Sequence, residues 1–101
     1  MSEPDHGARS TAQIVTIEPS RIILRLCKHW GHKFNVSYDE EQGQIDLTGY
    51  GTCHMQQVPD GLAFTLHCPD ASVLPRLQQV VAEHAQRMAR NEHFDFHWVA
   101  A

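Results

Sequence analysis

From Phe34 onward, apolar and polar residues alternate with a period of two, and this rhythm organises the middle of the chain. Phe34, Val36 and Tyr38 alternate with Asn35, Ser37 and Asp39, as in a half-buried strand. Glu40 to Gly43 form a polar turn, Ile45 and Leu47 continue the apolar face, and Gly49-Tyr50-Gly51 turns the chain again. Cys53 and Met55 then point one way while Thr52, His54 and Gln56 point the other. Pro59-Asp60-Gly61 is a turn signal, because proline presets one backbone angle and glycine accepts a positive one. Leu62, Phe64, Leu66 and Cys68 complete the apolar face of a hairpin-connected meander.

Two segments of helical period flank the meander. Glu18-Pro19-Ser20 opens the first, since proline suits the first helical position and an acid suits the positive end of the helix dipole. Ile22, Ile23, Leu26, Cys27 and Trp30 recur at helical spacing, and Gly31 is placed to end the helix in a left-handed conformation. Val73, Leu74, Leu77, Val80, Val81, His84, Ala85 and Met88 form the single apolar stripe of a second helix. Pro75 fits only in its first turn, which predicts an irregular start between Asp70 and Pro75, and Asn91 is a natural stop. Thr11 to Ile17 predict a first strand, and Phe94, Phe96 and Trp98, alternating with His93, Asp95 and His97, predict a last one. Residues 1–10 read as a flexible leader and residues 11–101 as a single domain. The predicted order is β-α-β-β-β-α-β, a two-layer α+β sandwich with a mainly antiparallel sheet of about five strands. Both helices should cover one sheet face and leave the other to water or a partner.

Composition narrows the function classes. A hydrophobic content of 42% with 20% charged residues fits an ordinary globular domain. Twelve acidic against eight basic residues give a net charge of -4, which argues against a duplex nucleic-acid partner. No apolar run reaches the roughly 20 residues that span a bilayer. The N-terminus lacks the basic-then-apolar pattern of an export signal, so the three cysteines read as reduced thiols in the cytoplasm. They contain no C-x-x-C pair, which removes the support for a zinc ribbon or a thioredoxin-type redox site.

Histidine is the anomaly, with eight residues at positions 6, 29, 32, 54, 67, 84, 93 and 97. The stretch from Cys27 to Phe34 alone holds His29, Trp30, His32 and Lys33. His29 and His32 are three apart, within reach of a shared ion on a continuous helix. His32 and Lys33 face the domain interior only if the chain breaks at Gly31; otherwise these cations complete a helix C-terminus. His84 interrupts the second apolar stripe, and an unpartnered buried imidazole costs on the order of 1–3 kcal/mol. Either a backbone carbonyl or a tyrosine such as Tyr38 satisfies it, or it meets the end of the first helix as a ligand or acid–base group. Cys27 lies on the apolar side near a negative helix end, which disfavours a thiolate nucleophile. Cys53 and Cys68, on inward strand positions, read as structural too. The outer sheet face is expected to carry His54, His67, His93 and His97 with Asp46 and Asp95, a surface suited to loose metal binding or to water alone. No phosphate-binding glycine loop, serine triad or paired catalytic carboxylate is recognisable.

Pro19-Ser20-Arg21, then Leu26-Cys27-x-His29-Trp30-x-His32-Lys33-Phe34, Gly43-x-Ile45, Val81-x-x-His84-x-x-Arg87-x-Ala89 and Trp98 resemble a bacterial family. It is the one labelled domain of unknown function 2218, and the resemblance covers roughly residues 11 to 99. The resemblance implies an iron-acquisition setting, with siderophore-interacting flavin reductases as associates, and no established activity. Carried over by position, it marks His29, His32, Lys33, His84 and Arg87 as the residues to test, the three histidines being expected as metal ligands and Lys33 and Arg87 as contacts to a bound cofactor. The leading expectation is a small cytoplasmic accessory protein of iron or metal homeostasis that binds iron, zinc, haem or a ferric chelate through its histidine cluster. The alternative is a non-catalytic interaction or homodimerisation module whose histidines form a structural hydrogen-bond network. A catalytic role ranks third, since no nucleophile or substrate pocket is readable.

Overall fold

The computed structural model describes residues 7–101. The chain runs through strand β1 (Ala8–Val15), helix α1 (Pro19–Trp30), strands β2 (Asn35–Tyr38), β3 (Gln42–Leu47), β4 (Gly51–Val58) and β5 (Gly61–Cys68), helix α2 (Leu74–Met88) and strand β6 (Val99–Ala100). The strands form one antiparallel sheet in the order β2-β3-β4-β5-β1-β6. The meander therefore has four strands, one more than the sequence order assigned, because Asn35–Tyr38 and the segment around Ile45 pair as separate strands across the Asp39 turn.

Register fixes the two faces. Ile45 pairs with Cys53, Cys53 with Leu66, and Met55 with Phe64, so one face collects the apolar set. Both helices close over that face. Ile22, Ile23, Leu26, Cys27 and Trp30 from α1 and Leu77, Val81 and Ala85 from α2 are buried in one core with the strand residues. The core forms because each helix has an apolar stripe and the sheet an apolar face, and neither can be left in water. Helix α1 sits close over β3 at Gly43: a Cβ there would lie 2.9 Å from Ile23 Cγ2 and 3.1 Å from Cys27 Sγ. Among the described residues, no helix is long and apolar enough to cross a membrane.

Several boundaries differ from the sequence reading. Residues 1–6 of the expected leader lie outside the described residues, whereas Ala8 to Ser10 belong to β1, which stops at Val15. Ser10 is only 1% exposed; its hydroxyl donates to Val99 O at 3.0 Å and accepts from Gln78 Nε2 at 2.9 Å. A serine paired in this way is a core residue that composition cannot distinguish from a polar tail. The expected irregular helix start is present, with a short 3-10 turn over Ala71–Val73 capped by the Asp70 carboxylate, which accepts from Ser72 N at 3.0 Å. Helix α2 ends at Met88, ahead of Asn91.

The aromatic segment before β6 is not a strand. Phe94 is buried, Phe96 and Trp98 pack against the core, and the Phe96 and Trp98 rings stack with centroids 5.6 Å apart. Its backbone is held by one side chain: Gln86 Oε1 accepts from Phe94 N at 2.9 Å, and Gln86 Nε2 donates to Glu92 O at 2.6 Å. Val99 and Ala100 join the sheet beside Thr11 and Ser10, and Ala101 N donates to Arg9 O at 3.1 Å. Gly31 is likewise not left-handed, at φ -63° and ψ -15°. Glycine is needed there for space, since a Cβ would come within 2.8 Å of Cys27 O and 3.3 Å of Val36 Cγ2.

Candidate functional site

Helices α1 and α2 meet along a seam in opposite directions. Arg25 Nη1 donates to Met88 O at 2.7 Å near one end, His29 meets His84 in the middle, and Trp30 shares a cavity with Leu77 and Val80 at the other. Helical spacing produces the alignment. Arg21, Arg25 and His29 lie at i, i+4 and i+8 on the flank of α1 beside its buried stripe, as do His84 and Arg87 at i and i+3 on α2.

The imidazole in the second stripe does reach the end of the first helix. The His84 ring lies 4.8 Å from that of Trp30 with a 34° tilt, and 5.3 Å from that of His29 with a 50° tilt. His29 and Trp30 are themselves 6.1 Å apart. His84 is half-buried, and its Nδ1 lies 2.7 Å from Val80 O, one turn back. A carbonyl can only accept, so Nδ1 donates and the neutral ring keeps its lone pair on Nε2. The backbone carbonyl, not Tyr38, is therefore its partner; Tyr38 sits on the edge strand β2, 41% exposed.

The structure does not gather all the residues marked by the sequence. His32 and Lys33 are exposed in the tight turn after α1, where Lys33 N and Phe34 N both donate to Trp30 O. That turn carries them outward, opposite to the inward swing expected of a break at Gly31. Among the described residues, no group of three or more His, Cys, Asp or Glu side chains is placed to hold a metal ion, so His29, His32 and His84 do not form a three-donor set. Arg87 lies in the last turn of α2, lining a hollow to which Lys33 does not contribute. Trp30 joins the two imidazoles, a role hidden in the sequence by its place in the apolar stripe of α1.

The cysteines are structural. All three are free and buried. Burial pushes the Cys27 thiol up to about 11 and the Cys53 thiol up to about 12, the latter helped by the neighbouring Cys27. Burial, and then the charge of Asp70, also raises Cys68. None is poised as a thiolate.

The outer sheet face is narrower in chemistry than expected. His54 and His67 occupy it with Asp46, since His67 pairs with Thr52 and Arg9, and His54 with Gln44 and Thr65. His93, Asp95 and His97 are off the sheet, because their segment is not a strand; His93 Nε2 lies 3.3 Å from Asp95 Oδ1, both well exposed. His6 lies outside the described residues.

Residues 11–99 match the family described as "Uncharacterized protein conserved in bacteria (DUF2218)". The chain belongs to this family. The match takes in β1 from Thr11 onward and both helices, and so includes the whole seam. Among solved structures, the chain is similar to the "NMR structure of PA4090 from Pseudomonas aeruginosa", with 42% identity and a TM-score of 0.75 over 91% of this chain and 95% of that one. No curated protein matches the chain. The family and its solved relative thus identify the fold and a bacterial setting.

Proposed function

We propose that the protein binds a transition-metal ion, or a small anionic chelate of one, through His29 and His84. The observation that carries this reading is the 2.7 Å bond from His84 Nδ1 to Val80 O. Metal-ligating histidines usually donate the second ring nitrogen to a carbonyl or carboxylate, which fixes the tautomer and the ring. His84 has that arrangement, with the His29 ring 5.3 Å away. With metal–nitrogen bonds of about 2 Å, ring centres on adjacent tetrahedral positions stand roughly 5 Å apart, and those across a metal roughly 6 Å. The separation therefore favours two adjacent positions over the axial pair of a haem. Two protein donors leave the remaining positions to water or to the oxygens of a chelating anion. The iron-acquisition setting expected from the sequence resemblance makes iron and its chelates the first ligands to test, and a siderophore-interacting flavin reductase the first partner.

Calorimetry of metal-free protein with Fe(II), Zn(II) and ferric citrate should find a saturable ligand whose binding is abolished by His84→Ala and retained by His32→Ala. Binding unchanged by His84→Ala eliminates the site. The competing reading is an interaction module in which the imidazoles only pack and hydrogen-bond. It is favoured by the same Val80 bond, which satisfies the ring internally, and by the lack of a third donor among the described residues. A melting temperature indifferent to EDTA and added metals, with concentration-dependent dimerisation, would select it.

A further inference from the structure

The chain contains six arginines, and four of them, Arg21, Arg25, Arg87 and Arg90, line a single hollow of about 460 Å³ at the far end of the α1–α2 seam. Among the described residues, Glu18 is the only acid in its wall, and Met88 and Asn91 complete it. Four guanidinium groups against one carboxylate give a local net charge of plus three, in a chain whose own net charge is -4. Such a concentration of like charge is unfavourable unless something offsets it.

Internal partners offset little of it. Arg21 Nη1 lies 3.2 Å from Glu18 Oε2, and Arg25 Nη1 donates to Met88 O at 2.7 Å. Each guanidinium carries five N–H donors, so both retain most of theirs. Arg87 and Arg90 make no hydrogen bond or ion pair among the described residues. The helix dipole accounts for part of the arrangement only. Arg87, in the last turn of α2, is favoured at a negative helix end, but Arg21 stands in the first turn of α1, where a cation is disfavoured.

We infer that this hollow binds a small multivalent oxyanion, a molecule bearing two or more phosphate or carboxylate groups. Guanidinium forks match the paired oxygens of such groups and hold them by charge-assisted bonds. The hollow falls within the roughly 300–1,000 Å³ of ordinary ligand sites, more room than one inorganic phosphate uses. Several separated cations reward an anion whose charges are spread over more than one group. The inference does not depend on metal binding at His29 and His84.

The test is calorimetry of the full chain in EDTA with pyrophosphate, tripolyphosphate, citrate and orthophosphate, at low and at moderate salt. Pyrophosphate, tripolyphosphate or citrate should bind about tenfold or more tightly than orthophosphate, and more weakly as salt rises. Arg87→Gln with Arg90→Gln should weaken that binding at least about tenfold, the loss expected when charged hydrogen bonds are removed. Both side chains are exposed, and an unchanged melting curve will confirm that the double variant folds. Glu18→Gln should tighten binding several-fold, and His84→Ala should leave it unchanged, which separates this site from the imidazole pair. Binding by the phosphates alone or by citrate alone identifies which oxyanion class the hollow takes. Absence of saturable binding by every probe, or equal affinity in the wild type and the double arginine variant, overturns the inference.

Discussion

A methyl group placed at Gly43 measures how tightly α1 is seated on the sheet. In Gly43→Ala the new Cβ would lie 2.9 Å from Ile23 Cγ2, 3.1 Å from Cys27 Sγ and 3.1 Å from Met55 Cε. Carbon atoms prefer separations of about 3.5–4.0 Å, so the helix or its side chains must yield by roughly half an ångström. The end of Met55 can swing aside, but a branched side chain in a helix has one strongly preferred rotamer, and Ile23 cannot. Overpacking of this kind costs about 1–3 kcal/mol, against about 0.4–1 kcal/mol returned by the lower entropy of the unfolded chain. The expected result is a net loss of about 1–2 kcal/mol in urea unfolding, or roughly 4–8 °C of melting temperature per kcal/mol. Adding Cys27→Ala removes one of the obstructing atoms and should make the two changes non-additive by about 0.5 kcal/mol or more. The ring resonances of His29 and His84 should shift as well, because the displaced helix carries His29 and Trp30. A Gly43→Ala protein as stable as the wild type refutes the close seating.

Two further outcomes test local chemistry. The Asp39 carboxylate accepts from Glu41 N at 2.8 Å and Gln42 N at 2.9 Å, and these bonds hold its pKa below the ordinary aspartate value. A lowered folded value means that the stabilisation is fully present above the ordinary aspartate range and disappears as pH falls through the lowered one. Asp39→Ala should therefore melt below the wild type at neutral pH, with a gap that narrows in acid; a gap independent of pH refutes the turn's dependence on the charge. Iodoacetamide at pH 8 should leave the native protein unlabelled and modify all three cysteines in urea, since burial raises each thiol. Native labelling of Cys27 at the rate of an exposed thiol contradicts that reading.

The parts of the fold that were legible are those whose signal is periodic and local. The alternation from Val36 to Cys68 and the stripes of Ile22–Trp30 and Leu77–Ala85 each report a face, and the structure buries those faces. Pro75 announced the 3-10 turn because a missing N–H is tolerated only near a helix start. Phe94, Phe96 and Trp98 misled because alternation reports burial of side chains, not pairing of the backbone. Their segment finds its hydrogen bonds in the Gln86 side chain, a partner with no periodic signature. In the candidate site, His84 was conspicuous as an imidazole in an apolar stripe, and its contact with the end of α1 followed. His32 did not follow, because its place depends on the turn after Trp30, where Gly31 stays right-handed. Arg21, Arg25, Arg87 and Arg90 lie up to 69 positions apart and come together only once the two helices are set antiparallel.

That antiparallel setting also sorts the chemistry along the seam. At the α1 C-terminus, Trp30, Phe34, Leu77 and Val80 enclose an apolar cavity of about 190 Å³ beside Arg76; His29 and His84 stand next; the four guanidiniums follow at the other end. The core does not require this order. The residues that hold the helices to the sheet are Ile22, Ile23, Leu26 and Cys27 on one and Leu77, Val81 and Ala85 on the other, all on the sheet-facing sides. Arg21, Arg25, His29 and Arg87 are exposed and lie outside the buried core, so core packing alone leaves their identities open. A polar surface with its charges placed at random does not explain the pattern either, because among the described residues only one acid, Glu18, lies in the arginine-lined hollow. The physical weight of the functional reading thus rests on the seam, where four guanidiniums and two imidazoles are gathered. The polar sheet face has no comparable concentration: it spreads His54, His67 and Asp46 among neutral residues such as Thr52, Thr65 and Gln44.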